Sequence, residues 1–370
     1  MAARDDAAAT VLAAAVTALL GVGAVMIFST TARGNGPLLS ETFLRQMTYV
    51  AFGLACALVL IRLDYHLLLE HRGLILAGAA ALLALVLVPG IGHRANGASR
   101  WLRVGPVGFQ PSEPARLALI VFLAGFLARR QERISSFTGT FLPAAGATGL
   151  VCVLVLLEPD IGTTVLLGAV ACVVMFAAGC RLAHFAAPVA GAIPVLAFVV
   201  SRGYARARIE AWLDPWKDPS GAGYHIIQSL VAIGSGGLFG KGLGASQQKL
   251  YFLPEAQTDF IFAILAEEFG LVGVTAVLAL YAAVAWAGLT IARRAADTGG
   301  RLLAAGVTAM IVLQALTNVA VATKVLPTKG IALPFISAGG SSVVVMTCGV
   351  ALLFSVARRS GAAGDAGPAG

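Results

Sequence analysis

Long apolar runs dominate the chain, each close to the length of a bilayer crossing and parted by short polar connections. A helix needs about 20 apolar residues to cross the hydrocarbon core, so roughly ten runs qualify as spans. They lie near residues 9–30, 43–62, 73–90, 112–128, 139–157, 161–179, 183–201, 259–290, 302–322 and 340–357. The pattern predicts an all-α fold: a polytopic integral membrane protein with about ten transmembrane helices. The first run follows MAARDDAAAT, is long and lacks a clear cleavage site, so it reads as a retained helix rather than a signal peptide.

One connection breaks the pattern. Between the seventh and eighth runs lie residues 202–258, a long extracytoplasmic loop rich in Gly, aromatic and charged residues. Loops of that length are uncommon unless they carry function. Within it GYHIIQSLVAIG has enough amphipathic character for a short interfacial helix between Gly-rich turns. No repeat of fixed period and no soluble domain is visible. Residues 1–359 read as a single membrane domain, and the tail 360–370, SGAAGDAGPAG, as a disordered cytoplasmic segment.

Composition agrees: 58% of the 370 residues are hydrophobic and only 12% charged, far from the balance of a soluble domain. Cys56, Cys152, Cys172, Cys180 and Cys348 sit in or beside apolar runs without CxxC spacing, as plain core thiols would. Basic residues preferentially stay cytoplasmic. Arg129, Arg130, Arg133, Arg181, Arg293, Arg294, Arg301, Arg358 and Arg359 therefore mark the cytoplasmic loops, and an even span count leaves both termini inside.

Against that tendency, the outer loops carry Arg94, Arg100, Arg103, Arg202, Arg206, Arg208, Lys217, Lys241, Lys249, Lys324 and Lys329. Each alone could be a solvated or snorkelling cation. As a set they suit an anionic partner, and at lipid depth phosphates are the natural candidates. Acids also lie in or at the ends of spans: Glu113 (with Arg116 three residues on), Glu158, Asp160, Glu267 and Glu268. Such groups usually face a bundle interior or hydrated cavity, though Glu113 and Arg116 could simply pair with each other.

The segment TDFIFAILAEEFG sets Asp259 at the threshold of the eighth run. Thr258 is a good N-cap, which would put Asp259 in the first helical turn and keep it ionised at neutral pH. An ionised acid among cations suits one reaction: a hydroxyl attacks a sugar carbon whose leaving group is a lipid diphosphate. The acid takes the hydroxyl proton, and the departing phosphate needs cations rather than the second carboxylic acid of an ordinary glycosidase.

Four motifs, RWLRVGPVGFQPSEPARLALI, EPDIGTT, the stretch from LDPWKDP to AEEFGLVG, and LPTKGIALPFISAGGSS, resemble the SEDS family of polytopic peptidoglycan polymerases typified by FtsW and RodA. The likeness covers about residues 10–357 and leans toward the FtsW, division-type branch. It implies a ten-helix enzyme of the bacterial cytoplasmic membrane whose extracytoplasmic active site joins lipid II into β-1,4-linked glycan strands, releasing undecaprenyl diphosphate. Asp259 matches the family's essential acid. Trp101, Glu113, Arg116, Asp160, Arg208, Lys249, Glu255, Lys329, Ser341 and Ser342 fall on other motif positions, for substrate or diphosphate binding or cavity shaping.

The resemblance also implies a class B penicillin-binding protein as transpeptidase partner, other divisome or elongasome membrane proteins, membrane lipid, and no nucleic acid. A divalent cation, Mg or Mn, could bridge Asp259 and the diphosphate, although no acidic cluster fixes an octahedral site. Four positions depart from the family pattern: Arg116 for Lys, Gln257 for His, Lys324 for Gly and Ala338 for Tyr. The second leaves no imidazole beside Asp259. The rival readings are a lipid II flippase or other transporter, and a scaffold in which Asp259 is dispensable. No half-to-half symmetry favours a transporter.

Overall fold

The computed structural model describes residues 2–31, 40–95, 98–104, 107–201, 203–250 and 252–365. Arg202 and tail residues 366–370 lie outside the described residues, and Arg94 is described by its backbone alone.

In chain order the helices are α1 (Ala2–Thr31), α2 (Glu41–Arg62), α3 (Tyr65–Glu70), α4 (Arg72–Val86), α5 (Ser112–Ala128), α6 (Leu142–Leu157), α7 (Ile161–Ala177), α8 (Ala186–Val200), α9 (Gly203–Leu213), α10 (Tyr224–Ser235), α11 (Ile261–Arg294), α12 (Thr298–Ala322) and α13 (Gly340–Asp365). Each apolar run of the sequence coincides with one of them. Among the described residues six helices are long and apolar enough to cross a membrane by length and composition, those over α1, α2, α6 with its preceding turn, α11, α12 and α13. Others are shorter: α5 has 17 residues and carries Glu113 and Arg116, while α8 contains Pro194.

α12 is the axis of the bundle, packed by α5, α7, α11 and α13. Its small residues allow close approach: a Cβ on Gly306 would come within 2.6 Å of Ile120 and 2.8 Å of Val174. Apolar side chains such as Val189, Ile193 and Phe198 of α8 point outward, as lipid-facing positions do.

Two features lie outside the all-helical expectation. Between α4 and α5 a small antiparallel sheet forms from β1 (Gly92–Ala95), β2 (Ala98–Val104) and β3 (Val107–Phe109). Tyr49 of α2 donates to the Gly108 carbonyl (3.1 Å), and the Ser341 hydroxyl of α13 accepts from Gln110 N–H (3.1 Å), which docks the sheet on the bundle. The second is a break in α11 at Gly270, whose φ of 64° is left-handed. The loop before α11 fills this gap: Lys241 and Gly242 N–H donate to the Glu267 and Glu268 carbonyls (both 3.0 Å), and the Gly237 and Leu238 carbonyls accept from Leu271 and Val272 (2.9 and 3.1 Å). Backbone groups freed within a membrane helix are thus satisfied inside the protein, as lipid demands.

The long loop is far from structureless. It holds α9 and α10, and α10 coincides with the amphipathic segment read from sequence, burying Ile226, Ile227, Ser229 and Ala232. α13 continues to Asp365, past the boundary read at residue 359.

Candidate active site

Asp259 is not in the first turn of α11. The helix starts at Ile261, and residues 255–260 form a tight turn in which Thr258, Asp259 and Phe260 N–H all donate to the Glu255 carbonyl (3.1, 3.1 and 3.3 Å). Thr258 does not cap the helix; its hydroxyl donates to the Glu255 carboxylate at 2.8 Å. Glu255, at φ 55°, is left-handed and exposed. Asp259 thus lies one residue before the N-cap, Phe260, outside the first turn in which helix-dipole stabilisation was expected.

The turn is pinned from the other side by α12 and by the connection that follows it to α13. Ser337 Oγ donates to the Thr258 carbonyl (2.6 Å), Ala338 N–H to the Gln257 carbonyl (2.9 Å), and Asn318 Nδ2 to the Asp259 carbonyl (2.9 Å). Gly330 runs directly past the carboxyl: a Cβ there would stand 3.0 Å from Asp259 Oδ2. A side chain at this position would press on that carboxyl.

The carboxyl of Asp259 is half-buried, and among the described residues none donates a hydrogen bond to it. Burial, then the like charge of Glu255, raises its pKa to about 7, while Arg208 and Arg100 pull the other way. Asp259 is consequently poised to change protonation near neutrality, contrary to the expectation of a permanently ionised acid.

Arg208, Lys329, Asp160 and Arg100 complete the neighbourhood. Arg208 of α9 donates to the Thr328 carbonyl (3.4 Å). Lys329 is depressed to about 8, by burial first and then by Arg208. Asp160 caps α7 by accepting from Thr163 N–H (3.1 Å) and Oγ1 (2.9 Å). Arg100 of β2 lies 3.9 Å from Asp160 and donates to the Glu158 and Pro159 carbonyls (2.9 and 2.5 Å), which ties the sheet to the α6–α7 turn. Glu158 itself is buried with both carboxyl oxygens unpartnered, and burial followed by Asp160 raises its pKa to about 8.

Beside this cluster a cavity of about 300 Å³ opens between α7, α9, α12 and the last connection. Its walls are aliphatic, among them Val165, Leu166, Leu313 and Val321, and its cations are Arg208 and Lys329.

The other sequence-derived candidates divide. Trp101 stands half-buried on β2 with its ring against Gly108. Glu113 and Arg116 are buried and pair with each other, and Arg116 also donates to Gln314 of α12. Ser341 and Ser342 are buried at the start of α13. Lys249 goes elsewhere: its ammonium is buried against Glu268 (2.8 Å) and donates to Ser29 (2.9 Å). Lys241 similarly pairs with Glu267 (2.7 Å), and Arg206 with Glu210 (2.8 Å).

Sequence reading named Arg100 only as one of the outer-loop cations and missed Gln314, Asn318 and Gly330 as site builders, since their roles are contacts between distant segments. It also missed His225. This α10 imidazole stacks on Phe260, ring centroids 6.0 Å apart, so a histidine does approach the Asp259 turn despite Gln257.

Mg is commonly held by one or two carboxylates, with water and substrate phosphates completing its six oxygen ligands, and Asp259 and the exposed Glu255 are the two carboxylates of this turn. Among the described residues no group of three or more His, Cys, Asp or Glu is arranged to hold a metal.

Fold and site together define a polytopic helical membrane protein with a half-buried acid, Asp259, within the influence of Arg208 and Arg100 and an apolar cavity nearby. The family described as "Cell cycle protein", the FtsW/RodA/SpoVE family, matches residues 10–361, and the chain belongs to it. It is 42% identical to stage V sporulation protein E of Bacillus subtilis over 92% of this chain and 94% of that one. It is 44% identical to the probable peptidoglycan glycosyltransferase FtsW of Thioalkalivibrio sulfidiphilus, over 94% of this chain and 89% of that one. Its fold matches a chain from a peptidoglycan synthase complex that coordinates polymerization and crosslinking, with a TM-score of 0.77, 29% identity, and coverage of 94% and 97%. It also matches the rod shape determining protein RodA of Thermus thermophilus, with a TM-score of 0.70, 30% identity, and coverage of 94% and 95%.

Proposed function

We propose that this protein is a peptidoglycan glycosyltransferase that polymerises lipid II on the extracytoplasmic face of the bacterial cytoplasmic membrane, in the division-type branch of its family, with both termini cytoplasmic. The observation that carries the reading is the half-buried Asp259 carboxyl, set beside Gly330 and under the influence of Arg208 and Arg100, next to the cavity that Arg208 and Lys329 line.

The acceptor's sugar hydroxyl attacks C1 of the donor sugar. Asp259 takes the hydroxyl proton as the new C1–O bond forms, and the bond from C1 to the phosphate oxygen breaks. Undecaprenyl diphosphate leaves with the bonding electrons, and Arg208 and Lys329 meet its negative charge. The aliphatic cavity beneath them suits the first isoprene units of the lipid. A base near neutral pKa contributes about 10²- to 10⁴-fold, and alignment and charge stabilisation supply the rest. Trp101 and Glu255, exposed enough to be reached, suit sugar contacts. A class B penicillin-binding protein is the proposed crosslinking partner.

The test uses purified protein with such a partner and labelled lipid II in detergent. Long glycan strands from wild type, and none from Asp259→Ala with expression and lipid II binding intact, are expected. A polymerising Asp259→Ala overturns the base assignment. Wild type that makes no polymer yet moves lipid II between vesicle leaflets overturns the enzyme in favour of a transporter.

A further inference from the structure

α12 presents two carboxamides one turn apart, Gln314 and Asn318, each 1% exposed. Asn318 Nδ2 donates to both the Asp259 carbonyl (2.9 Å) and the Ile331 carbonyl (2.7 Å). Gln314 Nε2 donates to the next carbonyl, Ala332 (2.8 Å), and its Oε1 accepts from Arg116. The other amino nitrogen of Arg116 pairs with Glu113. One continuous polar chain therefore runs from α5 through α12 to the segments bearing Lys329 and Asp259.

We infer that Asn318 and Gln314 are positioning residues that hold the Asp259 turn against the Lys329 segment, with the Glu113–Arg116 pair acting through Gln314 rather than on substrate. The inference deepens the glycosyltransferase reading and rests on it for its catalytic consequence.

The geometry argues for a donor role. Among the described residues Asn318 Oδ1 is buried without a partner, so its side chain is held there by the two bonds its amide donates. Those bonds join carbonyls 72 positions apart in the chain, at residues 259 and 331, which no local turn could fix. Arg116 matters for the same reason. Its planar fork grips Glu113 and Gln314 at once, whereas the single ammonium of the family's usual Lys cannot present two such fixed donors. The pair's burial behind α12 explains how it can serve the site without reaching the cavity.

The test compares Asn318→Asp and Gln314→Glu, which preserve shape but remove the donors; the second keeps an acceptor for Arg116 and is expected to fold even where the first does not. Each is followed by lipid II polymerisation at varied substrate concentration and by hydrogen exchange of residues 255–263, which needs no turnover. Expected are a kcat lower by about 10- to 100-fold with KM within about twofold, since small misplacements of a reacting group carry losses of that order. Exchange across the turn should quicken about tenfold on losing a buried hydrogen bond. Unchanged exchange in a folded variant overturns the inference whatever the activity, and so does quickened exchange with wild-type kcat. A wild type that makes no polymer refutes the enzymatic reading instead, while the exchange result still decides the structural one.

Discussion

Two groups of acids flank the start of α11, and the protein treats them in opposite ways. Glu267 and Glu268 are fully buried and each has its own cation: Lys241 with Ser246 and two backbone N–H groups for the first, Lys249 with Ser29 for the second. Asp259 is only half-buried, receives no hydrogen bond among the described residues, and feels Arg208 and Arg100 without an ion pair among them. A buried charge that is fully satisfied is committed to holding the loop across the Gly270 break. One left incompletely satisfied, in reach of solvent and a cavity, retains its capacity to act.

The comparison breaks most visibly at Lys249. Removing one member of a buried pair leaves the other uncompensated and costs about 3–5 kcal/mol. Lys249→Ala should therefore fail to accumulate folded protein, as read by melting in detergent. Lys249→Met with Glu268→Leu should recover most of that loss, because removing both charges removes the penalty. Normal stability of Lys249→Ala, with raised KM, would instead return Lys249 to the substrate site.

On the other side of the comparison, Lys329→Ala or Arg208→Ala should melt close to wild type. Each is expected to raise the KM for lipid II about tenfold, the loss of one charge-assisted contact of about 1.5–3 kcal/mol partly offset by its neighbour. Equal losses in both melting and affinity would show that these cations, too, are structural.

The pH dependence sharpens the contrast further. Asp259 must be deprotonated to act, so kcat should rise with pH through a midpoint near 7. Lys329 loses its charge through about 8, so KM should rise above that pH. Glu255→Gln removes the like charge that helps raise Asp259, and the midpoint should move to lower pH. A midpoint that stays put in Glu255→Gln would contradict the assigned coupling.

The smallest expected effect concerns a departure from the family pattern. Lys324, where Gly is common, sits at φ 62°, a left-handed conformation that disfavours side chains by about 1–2 kcal/mol. Lys324→Gly should therefore raise stability by about 1 kcal/mol, read as a small increase in melting temperature, part of the gain being offset by unfolded-chain entropy.

The helices were legible because apolar runs of bilayer length have few other solutions, and α10 because its apolar residues recur at helical spacing between glycines. The sheet at residues 92–109 was hidden: its strands are short, and its docking depends on Tyr49 and Ser341, far away in sequence. Asp259 was found by motif, yet its state was misread, since capping propensity is local whereas the turn is set by Glu255, Ser337 and Asn318. Residue type alone also could not separate Lys249 from Lys329. Both are loop cations on motif positions, and only the fold shows which one meets a buried glutamate.

The most direct measurement sets the two regions side by side: glycan-strand synthesis from labelled lipid II, per folded molecule, by Asp259→Asn and by the Lys249→Met, Glu268→Leu double variant. The first should be folded and slower by about 10²- to 10⁴-fold, and the second folded and active. Polymer from Asp259→Asn at the wild-type rate, or a folded double variant that makes none, would contradict the division of labour between these acids.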